Sequence, residues 1–395
     1  MKGLDPYDAL AGTRIPTFVR SRARTRQAAI QVRKRLPVNL APLLGIEPRV
    51  IAKAIGCFLT AEVRLAAAER ASPGVHRDAA RKFVALLDAA EGNCGDGAWG
   101  YEFDVQTRWA HYLASSPNLI ATFFVGRGLA EAGACFGDAA MIERARQSAG
   151  FLAEPLFRRT KEGRPFFAYT LDNPRLVHNA NLLGAGFVAA MGATCSSAGW
   201  VELAVGAAAT TIAAQRPDGS WPYGEGSGLS WSDNFHTAYN IDGLLLVWLA
   251  SGDDRVRASL ERGVAHWTRD FFGPVGEPKY YPGKPFPYDI HSAATAVDVA
   301  ARLATWGFPT ADLARRVAEW TRVNLLDPRT GRTYFQKHRF YVDKRHFIRW
   351  GEAHWALGKS SLALLDAGTH SPFEGAVRAA ARQYSTDPSG SRDDV

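Results

Sequence analysis

Long apolar runs are missing from this chain. No stretch of its 395 residues approaches eighteen apolar positions without a charge or a helix breaker, so no membrane-spanning helix is expected. The N-terminus, Met1-KGLDPYDALAG, lacks the charged-then-apolar layout of a signal peptide, and the expected location is the cytoplasm. Cysteine is scarce: Cys57, Cys94, Cys135 and Cys195 stand far apart with no C-x-x-C or C-x-x-H spacing. They read as reduced thiols, not as staples or zinc ligands. H-x-x-x-H, H-x-H, a P-loop and a dinucleotide fingerprint are all absent, so the sequence implies no metal and no cofactor. No low-complexity linker divides the chain, and no zinc-finger or RRM signature points to nucleic acid.

What is abundant is apolar residues, 47% of the total, enough for a large core. The net charge of +8 is concentrated in Arg20 to Arg35 (RSRARTRQAAIQVRKR), which carries seven Arg/Lys and no acid. The simplest reading is a solvated helix wrapping the outside of the fold. The alternative is peripheral contact with an anionic membrane, the inner membrane face in this case. The expected division is a basic extension, 1–48, around a single domain, 49–395.

Five apolar segments of helical length recur: Pro117-NLIATFFVGRGLAEAG, His178-NANLLGAGFVAAMG, His236-TAYNIDGLLLVWLASG, His291-SAATAVDVAARLA and His354-WALGKSSLALLDAG. Their starts lie 61, 58, 55 and 63 residues apart. Between them run one-sided amphipathic stretches at 138–154, 199–214, 254–270 and 310–324. The all-round apolar type belongs inside and the one-sided type outside. With 50–68, 78–91 and 373–384 the total is about twelve helices in six pairs. An (α/α)6 toroid, whose terminal pieces meet to close the ring, accounts for this pattern without exposed apolar ends. Long loops rich in Gly, Pro and aromatics lead into each inner helix, and such loops on a rigid scaffold are where sites are built.

Gln215-RPDGS-Trp221 fits Q-x3-G-x-W, the QW signature of terpenoid cyclases, and Asn93-CGDGA-Trp99 fits it with Asn for Gln. The segments LDPYDAL, RLPVNLAPLLGI, WGYEFDVQTRW, LDNPRLVHNANLLGA, SDNFHTAYNIDG, KYYPGKPFPYDIHSAA and YFQKHRFYVDKRHFIRWGEA extend the likeness. Together they resemble a bacterial family of terpenoid-cyclase-like toroids associated with polysaccharide-biosynthesis genes. That resemblance implies a toroid and a glycan or lipid-linked sugar as substrate.

Each inner helix opens on a polar cluster, and in a toroid these starts share one mouth. Asp233 and Asp289 suit N-capping; the histidines do not, so His178, His236, His291 and His354 at corresponding repeat positions point to a ligand pocket. His236, Tyr239, His291, Asp233 and His178 are the candidate catalytic residues. Asp104, Arg108, Asn173, Arg175, Asn179, Tyr281, Asp289, Arg349, Glu352 and His354 are the candidate substrate-binding residues.

The parts suit uronate chemistry, epimerisation or lyase-type proton abstraction: arginines for a carboxylate, histidines and tyrosines for proton transfer. Glycoside hydrolysis by two of Asp104, Asp233, Asp289 and Glu352 is the alternative. Terpenoid cyclisation lacks its D-x-D-D acid, and a non-catalytic glycan-binding toroid is the remaining reading.

Overall fold

The computed structural model describes residues 1–69, 73–173 and 175–386. Three short helices come first: α1 (Thr17–Ser21), α2 (Ala23–Arg35) and α3 (Ala41–Leu44). Twelve helices follow in alternation: α4 (Ala52–Glu69) and α5 (Pro73–Asp88), α6 (Leu119–Phe136) and α7 (Ala139–Ala153), α8 (His178–Thr194) and α9 (Ala198–Ile212), α10 (Asn234–Ser251) and α11 (Asp254–Asp270), α12 (Ile290–Thr305) and α13 (Ala311–Asn324), α14 (Ala353–Asp366) and α15 (Pro372–Thr386). The first of each pair packs on the next in the order α4, α6, α8, α10, α12, α14, and α14 packs back on α4. This closed inner ring makes the fold an (α/α)6 toroid.

The sequence reason for inside and outside is visible in the burial. Every residue of α10 from Phe235 to Ala250 except His236 is buried, so no face is left for solvent. In α11 only one stripe is buried, through Val256, Leu260, Val264 and Trp267. α6 is long and apolar enough to cross a membrane, yet it is packed inside the ring. α15 departs from the expected pairing. It packs against α4, α6, α8 and α10, across the end of the ring, with Phe373, Glu374 and Val377 buried.

Glu374 joins an ionic network that fills this closed end. Its carboxylate accepts from Arg127 Nη2 at 3.0 Å, Arg302 Nε at 2.6 Å and Trp306 Nε1 at 2.9 Å. Arg127 also bonds Asp242 at 2.9 Å, and Arg64 bridges Glu131 at 2.9 Å and Asp298 at 2.7 Å. All seven charged side chains are buried, and each charge faces an opposite one, the condition for keeping ions out of water.

The loops that enter the inner helices are anchored by glycine. Gly97, Gly219 and Gly276 have φ of 74°, 90° and 95°. A Cβ at each would collide with the backbone of α7, α11 and α13 respectively. These left-handed positions against a neighbouring helix admit glycine alone. Short strands decorate the same end: β1 (Val105–Gln106) with β2 (His111–Tyr112), β3 (Phe157–Arg159) with β4 (Pro165–Phe167), and the sheet β5 (Tyr288–Asp289), β6 (Gln336–Lys337), β7 (Val342–Asp343).

The first 48 residues are stitched to the far end of the chain. Asp5 takes both Nε and Nη2 of Arg349 at 2.7 Å, and Arg345 donates to the carbonyls of Arg33 and Lys34 at 2.7 and 2.8 Å. In the basic stretch, Arg33 is buried against Asp8, Arg20 caps the carbonyls of Leu10 and Gly12, and Arg26 holds Gln106. Much of its charge is therefore engaged with the protein, and nothing in the structure supports the membrane alternative.

Candidate active site

A cavity of about 700 Å³ opens where the inner helices begin. The start of each supplies a residue to its wall: Lys53 from α4, Ile120 from α6, Asn179 from α8, His236 and Tyr239 from α10, His291 from α12, and Arg349 and Trp350 from the π-turn, Ile348–Glu352, that leads into α14. Loops add rings, among them Tyr101, Trp109, Tyr223, Trp231 and Tyr280, and α2 adds Gln27, Gln31, Lys34 and Arg35.

Asp233 caps α10 by accepting from His236 N at 2.9 Å, and the same carboxylate stands 2.8 Å from His236 Nδ1. Nδ1–H must donate to that acceptor, so in the neutral ring Nε2 carries the lone pair. Asp233 is 1% exposed and the imidazole 21% exposed, and Nε2 has no partner among the described residues. The ring is held on edge by Tyr223 at 4.8 Å and Trp231 at 5.7 Å, while Tyr223 and Trp231 stack at 4.3 Å.

His291 is engaged at both nitrogens. Nδ1–H donates to the Trp350 carbonyl at 3.0 Å, so Nε2 accepts from the Tyr239 hydroxyl at 2.9 Å. Burial, with His354 and Lys53 nearby, holds the imidazole neutral, well below the usual histidine range. Burial likewise raises the Tyr239 phenol well above 10. Tyr239 can therefore donate a hydrogen bond but is a poor base.

Of the other expected residues, Asn179, Arg108, Tyr281 and Arg349 line the cavity; His178, Asp104, Asn173, Arg175, Asp289, Glu352 and His354 do not. His178 is buried against Thr211 at 3.0 Å, and desolvation lowers its pKa to about 4. Asp104 accepts from Ala114 N, and Asn173 from Arg175 N, whose own side chain points to solvent. Asp289 caps α12 at His291 N and takes Gln336 and Trp350. Glu352 pins the Thr333 backbone and hydroxyl, and His354 lies behind His291, rings 4.0 Å apart. The repeat put the histidines in register along the chain, but only His236 and His291 turn toward the opening.

Residues that sequence reasoning passed over are Lys53, Trp109, Lys34 and Tyr7. Lys53 was legible in one respect, because it occupies in α4 the helix-start position held by histidine elsewhere. The QW segment lies outside the cavity. Gln215 ties its loop to α11 by donating to Ser259 O and accepting from the Ser259 hydroxyl, and Trp221 is buried over Gly263.

No family model and no curated protein matches this chain. Solved structures do share its fold. Cellobiose 2-epimerase from Bacillus thermoamylovorans has a TM-score of 0.60 at 10% identity, over 80% of this chain and 87% of that one. Unsaturated glucuronyl hydrolase from Bacillus sp. GL1 has 0.59 at 14%, over 80% and 88%. The GH76 α-mannanase of Bacteroides thetaiotaomicron has 0.62 at 13%, over 81% and 87%. The likeness is one of fold. The narrower resemblance drawn from the QW motif and its accompanying segments, with its association with polysaccharide-biosynthesis genes, finds no matching family.

Proposed function

We propose that this protein is a carbohydrate-active enzyme that moves a proton at the carbon beside the carboxylate of an acidic sugar. The observation carrying this reading is the balance of charge and rings on the cavity wall. Among the described residues, Lys34, Arg35, Lys53, Arg108, Lys284 and Arg349, the last paired with Asp5, line it against a single lining carboxylate, Asp233, which His236 already engages. Cations neutralise the sugar carboxylate and so acidify the neighbouring C–H, while aromatic faces take the apolar faces of the ring. His236 Nε2 is the base, and Asp233 fixes its tautomer and stabilises the imidazolium that forms.

Glycoside hydrolysis is less well served, because it calls for two carboxyl groups across the bond and Asp104, Asp289 and Glu352 are committed elsewhere. The structural neighbours include sugar epimerases, an isomerase and glycan hydrolases by name, which agrees with a sugar substrate and leaves the reaction to the side chains. The test is incubation in deuterated water with methyl glycosides and 1,4-linked disaccharides of glucuronate, galacturonate and mannuronate, with cellobiose as the neutral control. Deuterium at C5 of a uronate is expected. Shorter products without deuterium support hydrolysis, and deuterium at C2 of cellobiose alone overturns the acidic substrate.

A further inference from the structure

Lys53 differs from every other cation on the cavity wall. Arg349 is neutralised by Asp5, Lys34 donates to the Tyr7 hydroxyl at 2.6 Å, and Arg35, Arg108 and Lys284 are exposed. Lys53 is 3% exposed, and among the described residues it has no hydrogen bond and no ion pair. Its ammonium lies over two ring faces, Phe124 at 4.3 Å and Tyr239 at 5.9 Å, with His291 and His354 close by. An ammonium buried without an acid is costly and is seldom kept for stability. Burial, reinforced by the charge of Arg349, brings its pKa down to about 7, where it can take or give a proton at neutral pH.

Its position in the ring supplies the geometry. Going round from α4, two inner helices intervene before α10 in either direction, so Lys53 and His236 enter the cavity from opposite walls. We infer that Lys53 is the second acid/base of the reaction, facing His236 across the substrate carbon. This deepens the proton-transfer reading and rests on it.

The chemistry then balances as an inversion. His236 Nε2 removes the proton from one face of C5, and the C–H electron pair moves into the carboxylate to give an enediolate. The Lys53 ammonium delivers a proton to the opposite face, restoring the carboxylate. His236 ends protonated and Lys53 neutral; exchange with solvent resets them, and the reverse reaction uses the same pair with roles exchanged. No bond to a leaving group breaks, which distinguishes epimerisation from elimination.

The test uses Lys53→Gln and Lys53→Arg in deuterated water, on the uronate glycosides and disaccharides above, with thermal melting to confirm folding. Both variants are expected to lose inverted product by about 10²-fold or more. Both should still exchange the substrate's own C5 hydrogen for deuterium with retention, since His236 is intact. Arg keeps the charge but cannot release a proton, so inversion by Lys53→Arg near the wild-type rate reduces Lys53 to electrostatics and overturns the proposal. Loss of exchange and inversion together in a folded variant overturns it too, as a binding role. Wild-type protein that labels no uronate overturns the proton-transfer reading itself, and this proposal with it.

Discussion

The two ends of the inner ring are made from the same helices and hold polar groups of opposite character. At the closed end, Arg64, Arg127 and Arg302 meet Glu131, Asp242, Asp298 and Glu374, and every carboxylate is bonded to a guanidinium. At the open end His291 and Arg349 are likewise paired, but two groups keep an unpaired side: His236 is bonded through Nδ1 and not Nε2, and Lys53 has ring faces but no hydrogen bond or ion pair among the described residues. The difference teaches how to separate a buried charge that holds the ring together from one that is kept for chemistry. The first is paired with opposite charges contributed by several helices, and the second has no opposite charge beyond one orienting neighbour and turns its remaining valence into the cavity.

Breaking the closed end should have the largest effect. Glu374→Ala removes one of the two carboxylates that Arg127 and Arg302 share, leaving Asp242 alone between them, and removes a partner of Trp306. The expected cost is about 3–5 kcal/mol in urea unfolding, with turnover per folded molecule little changed at low temperature.

The two ends should also respond oppositely to pH. Asp298 is held at about 2 by Arg64 and Arg302 despite burial. Its contribution is present above the unfolded value near 3.8 and is lost as pH falls through about 2. Glu102, which accepts from the Ala52 backbone where α4 starts, is raised by burial to about 7. Between about 4.5 and 7 the folded state holds the extra proton, so this group's contribution falls as pH rises. Unfolding followed from pH 2 to 8 should show stability lost at the acid extreme in wild type, and Glu102→Gln should lessen the decline between 4.5 and 7.

Tyr239→Phe should be milder. It deprives His291 Nε2 of its donor, at about 1–3 kcal/mol, and the loss should be seen both in unfolding and in turnover because Tyr239 lines the cavity. Arg108→Gln should be smallest: Arg108 is an exposed rim cation, so KM for a uronate should rise a few-fold with kcat and stability unchanged.

Much of the toroid was legible because burial imposes a period. The five apolar segments correspond to α6, α8, α10, α12 and α14, and the amphipathic ones to the outer helices. α15 was misread as a sixth outer helix because its apolar stripe looks the same from the sequence. The long-range partners of Glu374, Arg127 and Arg302, and the packing of α15 on four inner helices distinguish a helix across the ring's end from one around its side, and neither shows in the local pattern. The site was partly legible for the same reason. Repeat register brings His178, His236, His291 and His354 to equivalent helix starts, but the direction of each side chain depends on its local partner. Thr211 claims His178, whereas Asp233 turns His236 outward. Lys53 escaped notice because a lone lysine at the edge of an apolar helix reads as an ordinary solvated residue, and only the closed ring reveals that this edge is the cavity.

The most direct test of the central claim is the fate of the C5 hydrogen of a uronate glycoside in deuterated water, compared between wild type and His236→Gln. Wild type should incorporate solvent deuterium at C5, and folded His236→Gln should be slowed about 10²–10⁴-fold. Undiminished incorporation by the variant, or none by the wild type across the uronates tested, would contradict the assignment of His236 as the base.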